Sequence, residues 1–337
     1  MSARPELSIG LLGTGAIAQI VHLPMLAQFP GARVGAVCDV DYDKAKALAS
    51  RFEIPRVHRQ DDAVFADPEI QAVLICTPSY LHEEQAIAAM RAGKHVLVEK
   101  PLALTPEGVE RVLRVAEETG RAIVVAMNNR YRPDALALKP FARGGELGDV
   151  FFLKAGWLNR KVRLSRPTWR HRRATAGGGA LMDLGIQILD LALWMLDYPS
   201  VRRVVAHLHP AEGVEVEDSA AVLCTLEDGP ILSLEVTWSL LGKRDRHYLE
   251  LHGTHGSGSL SPLAVYKELE HGLVDVTPQV QATAGNAYTA SYRQLLRHFL
   301  DVTHGDRAIE LPYDQVRLMR LIRLAYQSAE EGREIEA

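Results

Sequence analysis

The chain has 337 residues, of which 47% are hydrophobic and 24% charged, a length and composition typical of a globular protein with two domains. A net charge of −4 and the lack of a basic block exclude nucleic acids and anionic membranes as expected partners. Three widely spaced cysteines without a C-x-x-C pair predict free thiols, and neither a signal peptide nor an uninterrupted apolar span is evident, so we expect a cytoplasmic protein.

Five short apolar runs alternate with helical patterns over the first 127 residues. Because the runs are apolar on both faces, they predict parallel strands covered by helices, a doubly wound α/β domain over 1–127. The runs are LSIGLL (7–12), RVGAVC (33–38), AVLIC (72–76), HVLVE (95–99) and AIVVAM (122–127). Helices are predicted after the cap residues Asp41 and Thr105, and over 83–92.

The sequence GLLGTGAIA (10–18) comes at the end of the first strand. Gly13, Gly15 and Ala18 have the spacing G-x-G-x-x-A, in which the first glycine permits a tight turn and the second lets the backbone approach a pyrophosphate. The N-terminus of the following helix attracts the phosphates. The segment therefore predicts a dinucleotide-binding loop, which also includes Ala16 and Ile17.

Asp39 ends the second strand, 21 residues after Ala18. A carboxylate at this point accepts hydrogen bonds from the ribose 2′-hydroxyl of the adenosine. No arginine follows Asp39 directly to bind a 2′-phosphate, so NAD is favoured over NADP, and Lys44 keeps NADP open.

Polar residues also follow the other apolar runs of the first domain. In a doubly wound sheet the carboxyl ends of the strands face the ligand crevice, so these residues are candidates for contact with the cofactor. They are Thr77 with Pro78, Glu99 with Lys100, and Asn128.

The adjacent acid and base at 99–100 need an explanation, because charged side chains are costly to bury at the end of a core strand. Lys100 is predicted to hydrogen-bond the substrate oxygen, stabilising a developing alkoxide or exchanging its proton. Glu99 either orients Lys100 or binds the nicotinamide ribose, and the alternative for the two is a surface ion pair.

After residue 128 the pattern changes to alternating strands, at 150–157, 220–226, 231–239 and 248–253, with helices at 180–196, 290–303 and 313–331. We therefore predict a second, α+β domain over 128–337, built on an open antiparallel sheet with one buried face. The histidines at 247, 252 and 255 lack an accompanying carboxylate or cysteine pattern, so no metal site is predicted.

A glycine-rich loop leads into the helix at 180–196, where Asp183, Gln187 and Asp190 have the spacing of one helical face. Asp183 and Gln187 are candidates for fixing substrate hydroxyls, and Asp183 for holding Lys100 charged. Arg130, Trp169 and Arg170 are further substrate candidates, as a cation and an aromatic wall, although 170–173 is equally interpretable as a solvated loop.

Several of these segments, in this order, resemble the glucose–fructose oxidoreductase/inositol dehydrogenase/rhizopine catabolism (Gfo/Idh/MocA) family. They are GLLGTGAIA, CTPSYLHEEQAIAAMRAGKHVLVEKPLALT, NNRYRP, GELGDV and GGGALMDLGIQILDLALWML. The resemblance implies an N-terminal Rossmann domain, a C-terminal open-sheet domain, and NAD(P)-dependent oxidation or reduction of sugars, cyclitols or related compounds. It also implies a cis peptide between Lys100 and Pro101, and His82 at a position near the nicotinamide.

One position departs from the family pattern, which has a proton-transferring histidine where this sequence has Gln187. An amide can donate and accept hydrogen bonds but does not titrate near neutral pH, so it cannot transfer a proton as histidine does. Candidates to replace the histidine are Lys100 itself, Tyr131, or a water held by Asp183.

The sequence therefore predicts an NAD-dependent oxidoreductase that transfers hydride between nicotinamide and a sugar, cyclitol or related polyol. Two other classes stay open: a redox-neutral, NAD-dependent glycoside-cleaving enzyme, and a non-catalytic nucleotide or sugar sensor. The resemblance also implies a homodimer or homotetramer formed through the open sheet.

Overall fold

A computed structural model describes the chain at residues 6–161, 167–210, 213–227, 229–280 and 286–337. Two compact units are present in it. The first comprises the residues up to Ala126 together with Tyr292–Val316, and the second comprises Met127–Ser291 together with Arg317–Ala337.

The first break between the units falls one residue before the predicted division at 127/128. The segment Tyr292–Val316 returns to the first unit, and the predicted division into 1–127 and 128–337 does not include this return. Local patterns give no indication of it, because an amphipathic helix carries no information about which unit its apolar face covers.

The first unit contains a parallel six-stranded sheet in the order β3-β2-β1-β4-β5-β6, which confirms the predicted doubly wound domain. The strands are β1 (Leu7–Leu12), β2 (Ala32–Cys38), β3 (Arg56–His58), β4 (Ala72–Ile75), β5 (His95–Val98) and β6 (Ile123–Val125). The sequence pattern misses β3, because its three residues are half-buried at the sheet edge and form no apolar run.

Helices α1 to α5 connect these strands: α1 (Leu23–Leu26), α2 (Tyr42–Arg51), α3 (Asp62–Phe65), α4 (His82–Arg91) and α5 (Pro106–Thr119). The predicted cap residues of α2 and α5 are confirmed, and α4 begins and ends one residue before the predicted 83–92. The Asp41 carboxylate accepts from the Lys44 amide at 3.1 Å, and the Thr105 hydroxyl accepts from the Gly108 amide at 3.0 Å. Gly120 ends α5 in the left-handed conformation, with φ of 62°.

The second unit contains a nine-stranded sheet in the order β14-β13-β12-β11-β7-β10-β9-β8-β15. The strands are β7 (Val150–Arg160), β8 (Val201–Pro210), β9 (Glu217–Leu226), β10 (Ile231–Leu240), β11 (Arg246–Gly253), β12 (Gly256–Leu260), β13 (Ala264–Leu269), β14 (Gly272–Asp275) and β15 (Ile335–Glu336). The sheet is mainly antiparallel, as predicted, but β7 and β10 pair in parallel.

The remaining helices are α6 (Pro133–Arg143), α7 (Arg173–Ala176), α8 (Ile186–Met195), α9 (Ala287–Thr303) and α10 (Asp314–Glu331). Both predicted C-terminal helices are confirmed. The segment Arg173–Met195 is apolar and long enough to cross a membrane by length and composition alone, but 83% of its most apolar window is buried within the protein. Such burial is characteristic of a core helix.

One face of the large sheet is buried and includes a charged network. Arg132, only 8% exposed, donates to both carboxylate oxygens of Asp134, at 3.0 and 2.6 Å, and to Nδ1 of His247 at 3.0 Å. Because a guanidinium can only donate, Nδ1 of His247 accepts and the ring is neutral. Burial, assisted by the Arg132 charge, lowers the pKa of His247 to about 4.

We expect His247 to make stability depend on pH. Its folded pKa lies below the ordinary value of 6.5, so the unfolded chain takes up the proton first as the pH falls. The contribution of neutral His247 to the free energy of unfolding is complete above pH 6.5. As the pH falls from about 6.5 to 4, the free energy of unfolding decreases by about 3 kcal/mol. Urea titrations of the parent and of His247→Gln should show a flatter pH dependence in the variant.

The matched control for this comparison is His252→Gln, on the same strand and with 41% of its side chain exposed. It should leave the pH dependence of the unfolding free energy as in the parent. Equal slopes for the parent and His247→Gln between pH 6.5 and 4 would contradict the role of His247.

Candidate active site

The glycine-rich loop after β1 has two glycines with different structural roles. Gly13 adopts a φ of +83°, and a Cβ there would lie 2.7 Å from the Cys76 carbonyl oxygen. Nothing in the described chain lies within 4 Å of a Cβ built on Gly15. The fold itself therefore requires Gly13, whereas the space beside Gly15 is open to a ligand.

Asp39, at the end of β2, is fixed by its neighbours. Oδ2 accepts from the amide and the hydroxyl of Thr14, at 2.7 and 2.6 Å, and lies 3.1 Å from Nζ of Lys44. Oδ1 accepts from the Asp41 amide at 2.9 Å. Partial burial alone would raise the pKa of Asp39, but these hydrogen bonds hold it below its ordinary value, so the side chain is an ionised acceptor.

His82 connects the loop after β4 to the loop after β5. Its Nδ1 lies 2.7 Å from the Pro101 carbonyl oxygen and its Nε2 lies 2.9 Å from that of Thr77. The ring is 1% exposed, and burial lowers its pKa although both carbonyls favour the protonated form. The Thr77 hydroxyl donates to Gln85 at 2.6 Å, and Pro78 leads into the short 3-10 helix Ser79–Leu81.

The buried carboxylate of Glu99, 7% exposed, has partners that the sequence analysis does not identify. Nε2 of His22 lies 2.7 Å from Oε1, and the Tyr292 hydroxyl donates to the same oxygen at 3.4 Å. The rings of His22 and Tyr292 meet edge to face, with centroids 5.3 Å apart. Glu99 is therefore part of a buried polar cluster and not of a surface ion pair.

Lys100 follows Glu99 directly and is half-buried. The peptide bond between Lys100 and Pro101 is cis, which confirms the prediction made from the family resemblance. The structure therefore brings Gly13, Asp39, Thr77, Glu99 and Lys100 to one edge of the six-stranded sheet, where the carboxyl ends of the strands lie.

Two candidate segments contain a π-helix, which the sequence pattern does not predict. One is Ala18–His22, directly after the glycine-rich loop, and the other is Leu181–Gly185, which contains Asp183. The prediction of one regular helix over 180–196 is corrected accordingly. π-Helical turns are rare in proteins, and many of those that do occur lie at functional sites.

The three polar residues of this second helix have different surroundings. Asp183 and Gln187 are half-buried, and the Gln187 amide donates to the Asp183 carbonyl oxygen at 3.1 Å. Asp190 is fully buried and accepts from Nε of Arg130 at 2.7 Å and from the Tyr198 hydroxyl. This contact gives Arg130 a structural partner in the second unit, and its contact with substrate stays a prediction.

Trp169 and Arg170 lie in the 3-10 helix Trp169–His171, and the arginines at 170, 172 and 173 are exposed, so a solvated segment stays an open interpretation. The guanidinium of Arg170 stacks 4.5 Å from the centre of the Trp169 ring. The His171 side chain and Thr168 cap this turn reciprocally. An exposed cation on a half-buried indole is suited to a polyhydroxylated or anionic ligand.

The side-chain environments fit NAD. In the first unit, the open space beside Gly15 suits a pyrophosphate and the ionised Asp39 suits ribose hydroxyls. In the second unit, Asn128 is 1% exposed and donates to the Ser291 hydroxyl at 3.0 Å, while its Oδ1 has no hydrogen-bond partner in the described chain. The contact of Asn128 with the cofactor stays a prediction.

Sequence reasoning identifies the polar residues at the strand ends but misses their partners. One signal was available for His22, because a polar residue within the apolar stretch 9–26 must find a partner if it is buried. The missed partners are Thr14, His22, Gln85, Tyr198 and Tyr292.

In the described ranges no group of three or more His, Cys, Asp or Glu side chains is placed to hold a metal ion.

Comparison with known families gives two matches that together cover most of the chain. Residues 7–127 match the model GFO_IDH_MocA, described as "Oxidoreductase family, NAD-binding Rossmann fold". Residues 136–259 match the model described as "GFO/IDH/MocA C-terminal domain".

Individual relatives extend this likeness over the full length. The chain is 26% identical to D-glucoside 3-dehydrogenase of Escherichia coli (strain K12), covering 100% of this chain and 99% of that protein. It is 37% identical to the uncharacterized oxidoreductase ORF334 of Rhizobium meliloti, covering 74% of this chain and 73% of that one. The crystal structure of GenD2 from gentamicin A biosynthesis, in complex with NAD, is 27% identical, with a TM-score of 0.86 over 100% of this chain and 98% of that one.

The two glycines of the loop after β1 provide a test of these roles. Gly13→Ala places a Cβ against backbone in a left-handed conformation and should lower the unfolding free energy by about 1–3 kcal/mol. Gly15→Ala should leave stability within about 0.5 kcal/mol of the parent, but weaken NAD binding about tenfold or more, because the added methyl group occupies the space predicted for the pyrophosphate.

Urea denaturation and a fluorescence titration with NADH measure the two effects separately. Unchanged NADH affinity in Gly15→Ala would contradict the assignment of this space to the cofactor. Equal stability of Gly13→Ala and the parent would contradict the structural role of Gly13.

Proposed function

The chain belongs to the GFO/IDH/MocA oxidoreductase family with its NAD-binding Rossmann fold, and on that premise we propose that it is an NAD-dependent oxidoreductase acting on a sugar, cyclitol or related polyol. The reaction transfers a hydride between the nicotinamide and a hydroxyl or carbonyl carbon of the substrate. The observation that carries the proposal is the position of Lys100 at the carboxyl edge of the sheet, next to a Glu99 that His22 holds buried.

The proposed cofactor contacts follow from the geometry of the first unit. The loop of Gly13, Gly15, Ala16 and Ile17 holds the pyrophosphate, and Asp39 accepts from the ribose hydroxyls. NAD, when bound, supplies the hydride acceptor. An ionised Asp39 repels a 2′-phosphate, which favours NAD over NADP, although Nζ of Lys44 at 3.1 Å offsets part of that repulsion.

Lys100 is proposed as the residue that carries the proton. In the oxidation direction its neutral amine accepts the hydroxyl proton as hydride leaves the carbinol carbon, and so becomes an ammonium group. In the reverse direction this ammonium group hydrogen-bonds the carbonyl oxygen, stabilises the developing alkoxide and returns the proton. His22 and Tyr292 already bond to Oε1 of Glu99, so Glu99 serves to fix the segment from which Lys100 projects.

Asp183 and Gln187 are proposed to contact substrate hydroxyls. Gln187 stands where the family pattern has histidine, and its amide has no titratable proton, so it orients substrate by hydrogen bonding alone. Trp169 and Arg170 are proposed to add a stacking surface and a positive charge. These four assignments extend the proposal to the substrate.

A cytoplasmic location is also proposed, on the basis of the cysteines. All three are free and buried, and burial raises the pKa of Cys38 and Cys224 to about 12. Neutral, buried thiols are typical of proteins from reducing compartments.

Self-association through the second unit is the remaining part of the proposal. The face of the nine-stranded sheet opposite its core carries large apolar side chains that are at least 39% exposed, namely Leu223, Ile231, Tyr266 and Leu273. A second copy of the chain, in a homodimer or homotetramer, would cover these side chains.

Turnover is tested first with the purified protein, a panel of sugars, cyclitols and glycosides, and NAD and NADP in parallel. We expect NADH absorbance to develop with at least one polyol or sugar, with NAD preferred. Cleavage of a glycoside without net reduced cofactor would instead identify the redox-neutral class of enzyme. If no compound of the panel gives reduced cofactor or is cleaved, the result would count against the proposal.

On a verified substrate, Lys100→Ala should lower kcat about 10²–10⁴-fold, because acid–base and electrostatic assistance is lost, while NADH affinity changes little. Gln187→Ala should do less, costing about 0.5–1.5 kcal/mol in substrate binding. Gln187→His should raise kcat by restoring a titratable side chain. The control is Lys46→Ala, which removes an exposed lysine of α2. Near-parental turnover of Lys100→Ala would show that Lys100 has a structural role only.

The oligomeric state is checked by multi-angle light scattering at micromolar concentration, where a dimer or tetramer is expected. The double variant Leu223→Arg, Ile231→Glu places charges on the open sheet face and should shift the mass towards the monomer. Leu136→Arg, which charges an equally exposed position on α6, is the matched control. A monomeric parent would sink the proposal of self-association.

A further inference from the structure

The glycine-rich loop before Asp183 is in contact with a buried carboxylate for which the proposed reaction has no role. Glu217, the first residue of β9, is 6% exposed. Its Oε1 accepts from the Gly179 amide at 3.0 Å, from the Leu181 amide at 3.0 Å and from the Tyr326 hydroxyl at 2.8 Å. We call Glu217, Gly179, Leu181 and Tyr326 the Glu217 cluster.

The glycines of this loop allow the close approach. A Cβ on Gly179 would lie 1.8 Å from the Glu217 carbonyl oxygen, and a Cβ on Gly178 would lie 1.8 Å from the Tyr326 hydroxyl. Any side chain larger than hydrogen at either position would push the loop away from β9 and α10. The Gly-Gly sequence is therefore explained by the contact with Glu217 and Tyr326.

The cluster fixes the start of the helix that carries Asp183 and Gln187. Gly179 and Leu181 supply amides that have no partner within the helix at its N-terminus, and a carboxylate is the acceptor that the positive end of a helix favours. The Asp183 amide in turn donates to the Gly179 carbonyl oxygen at 2.9 Å. The position of Asp183 therefore depends directly on the residue that Glu217 holds.

Tyr326 supplies the third hydrogen-bond donor to the buried Glu217 side chain. Burial, together with the Glu217 charge, raises the pKa of Tyr326, so its hydroxyl is a neutral donor at all physiological pH values. A buried carboxylate needs such donors, because the cost of removing it from water is otherwise not offset. Three donors on one oxygen meet that need.

We propose that Glu217, supported by Tyr326, is a positioning residue for the reaction. Its carboxylate holds the Gly179 and Leu181 amides at the first turn of the π-helix, and so sets the place of Asp183 and Gln187 for the substrate. This inference rests on the proposed function, since it assigns Asp183 and Gln187 to the substrate. It gives the glycine-rich motif a catalytic purpose without direct contact to the reacting atoms.

The test compares Tyr326→Phe, which removes one oxygen, with Glu217→Gln, which removes the charge. Amide hydrogen exchange of the peptide over 177–187, without substrate or cofactor, should accelerate about tenfold in Tyr326→Phe and more in Glu217→Gln. We expect kcat to fall about 10-fold in Tyr326→Phe and about 10–100-fold in Glu217→Gln, because misplaced side chains lose transition-state contacts. NADH affinity should stay within about twofold of the parent.

The control is Glu215→Gln, which makes the same chemical change two residues away. Its exposed carboxylate accepts from the Arg173 amide at 3.1 Å, so the variant should exchange and turn over like the parent. A purely structural cluster would lower the melting temperature but leave kcat per folded molecule unchanged, when turnover is measured well below that temperature. That outcome would overturn the proposal.

The two proposals fail in distinguishable ways. Parental exchange rates over 177–187 in both variants would overturn the role of Glu217 whatever the activity. A parent enzyme without turnover on the panel would count against the proposed function, while the exchange measurement, which needs neither substrate nor cofactor, would still decide whether Glu217 holds the loop. Accelerated exchange with a parental kcat in Glu217→Gln would show that Glu217 holds the loop. It would also refute the proposal that Glu217 positions Asp183 and Gln187 for the reaction.

Discussion

The buried charge of Glu99 is the constraint on which the candidate site depends. A carboxylate with 7% exposure at the end of a core strand is tolerated only if donors meet it there. His22 supplies one from the helical segment after the glycine-rich loop, and Tyr292 supplies another from α9. The cofactor loop, the strand end before Lys100 and the returning C-terminal segment are therefore joined at a single carboxylate.

Local sequence patterns predict much of the fold. Apolar runs give five of the six parallel strands, and the side chains of Asp41 and Thr105 mark helix starts as expected. β3 is too short to form a pattern. β12, with the sequence GSGSL, is composed of glycine and serine, so only its pairing with β11 and β13 makes it a strand.

The candidate site is predictable to a lesser degree, because its residues were identified without their partners. Position after a strand singles out Asp39 and Glu99, but His22 lies 77 residues from Glu99 and no local rule connects them. The π-helix at Leu181–Gly185 is equally invisible, since one extra residue in a turn does not disturb an apolar run. Asp190 looked like part of a polar face with Asp183, and only the fold shows that Arg130 takes it.

The return of Tyr292–Val316 to the first unit has a consequence for how such proteins are recombined. The Rossmann half is not a contiguous cassette, because part of its packing, including the fully buried Phe299, is encoded far downstream of Ala126. A chimera that joins this N-terminal half to a foreign second half would bring a mismatched α9 and lose the Tyr292 contact to Glu99. Substrate specificity in this architecture is therefore changed most easily by substitutions within 127–291. Such substitutions leave intact the two separate segments of the gene that encode the cofactor unit.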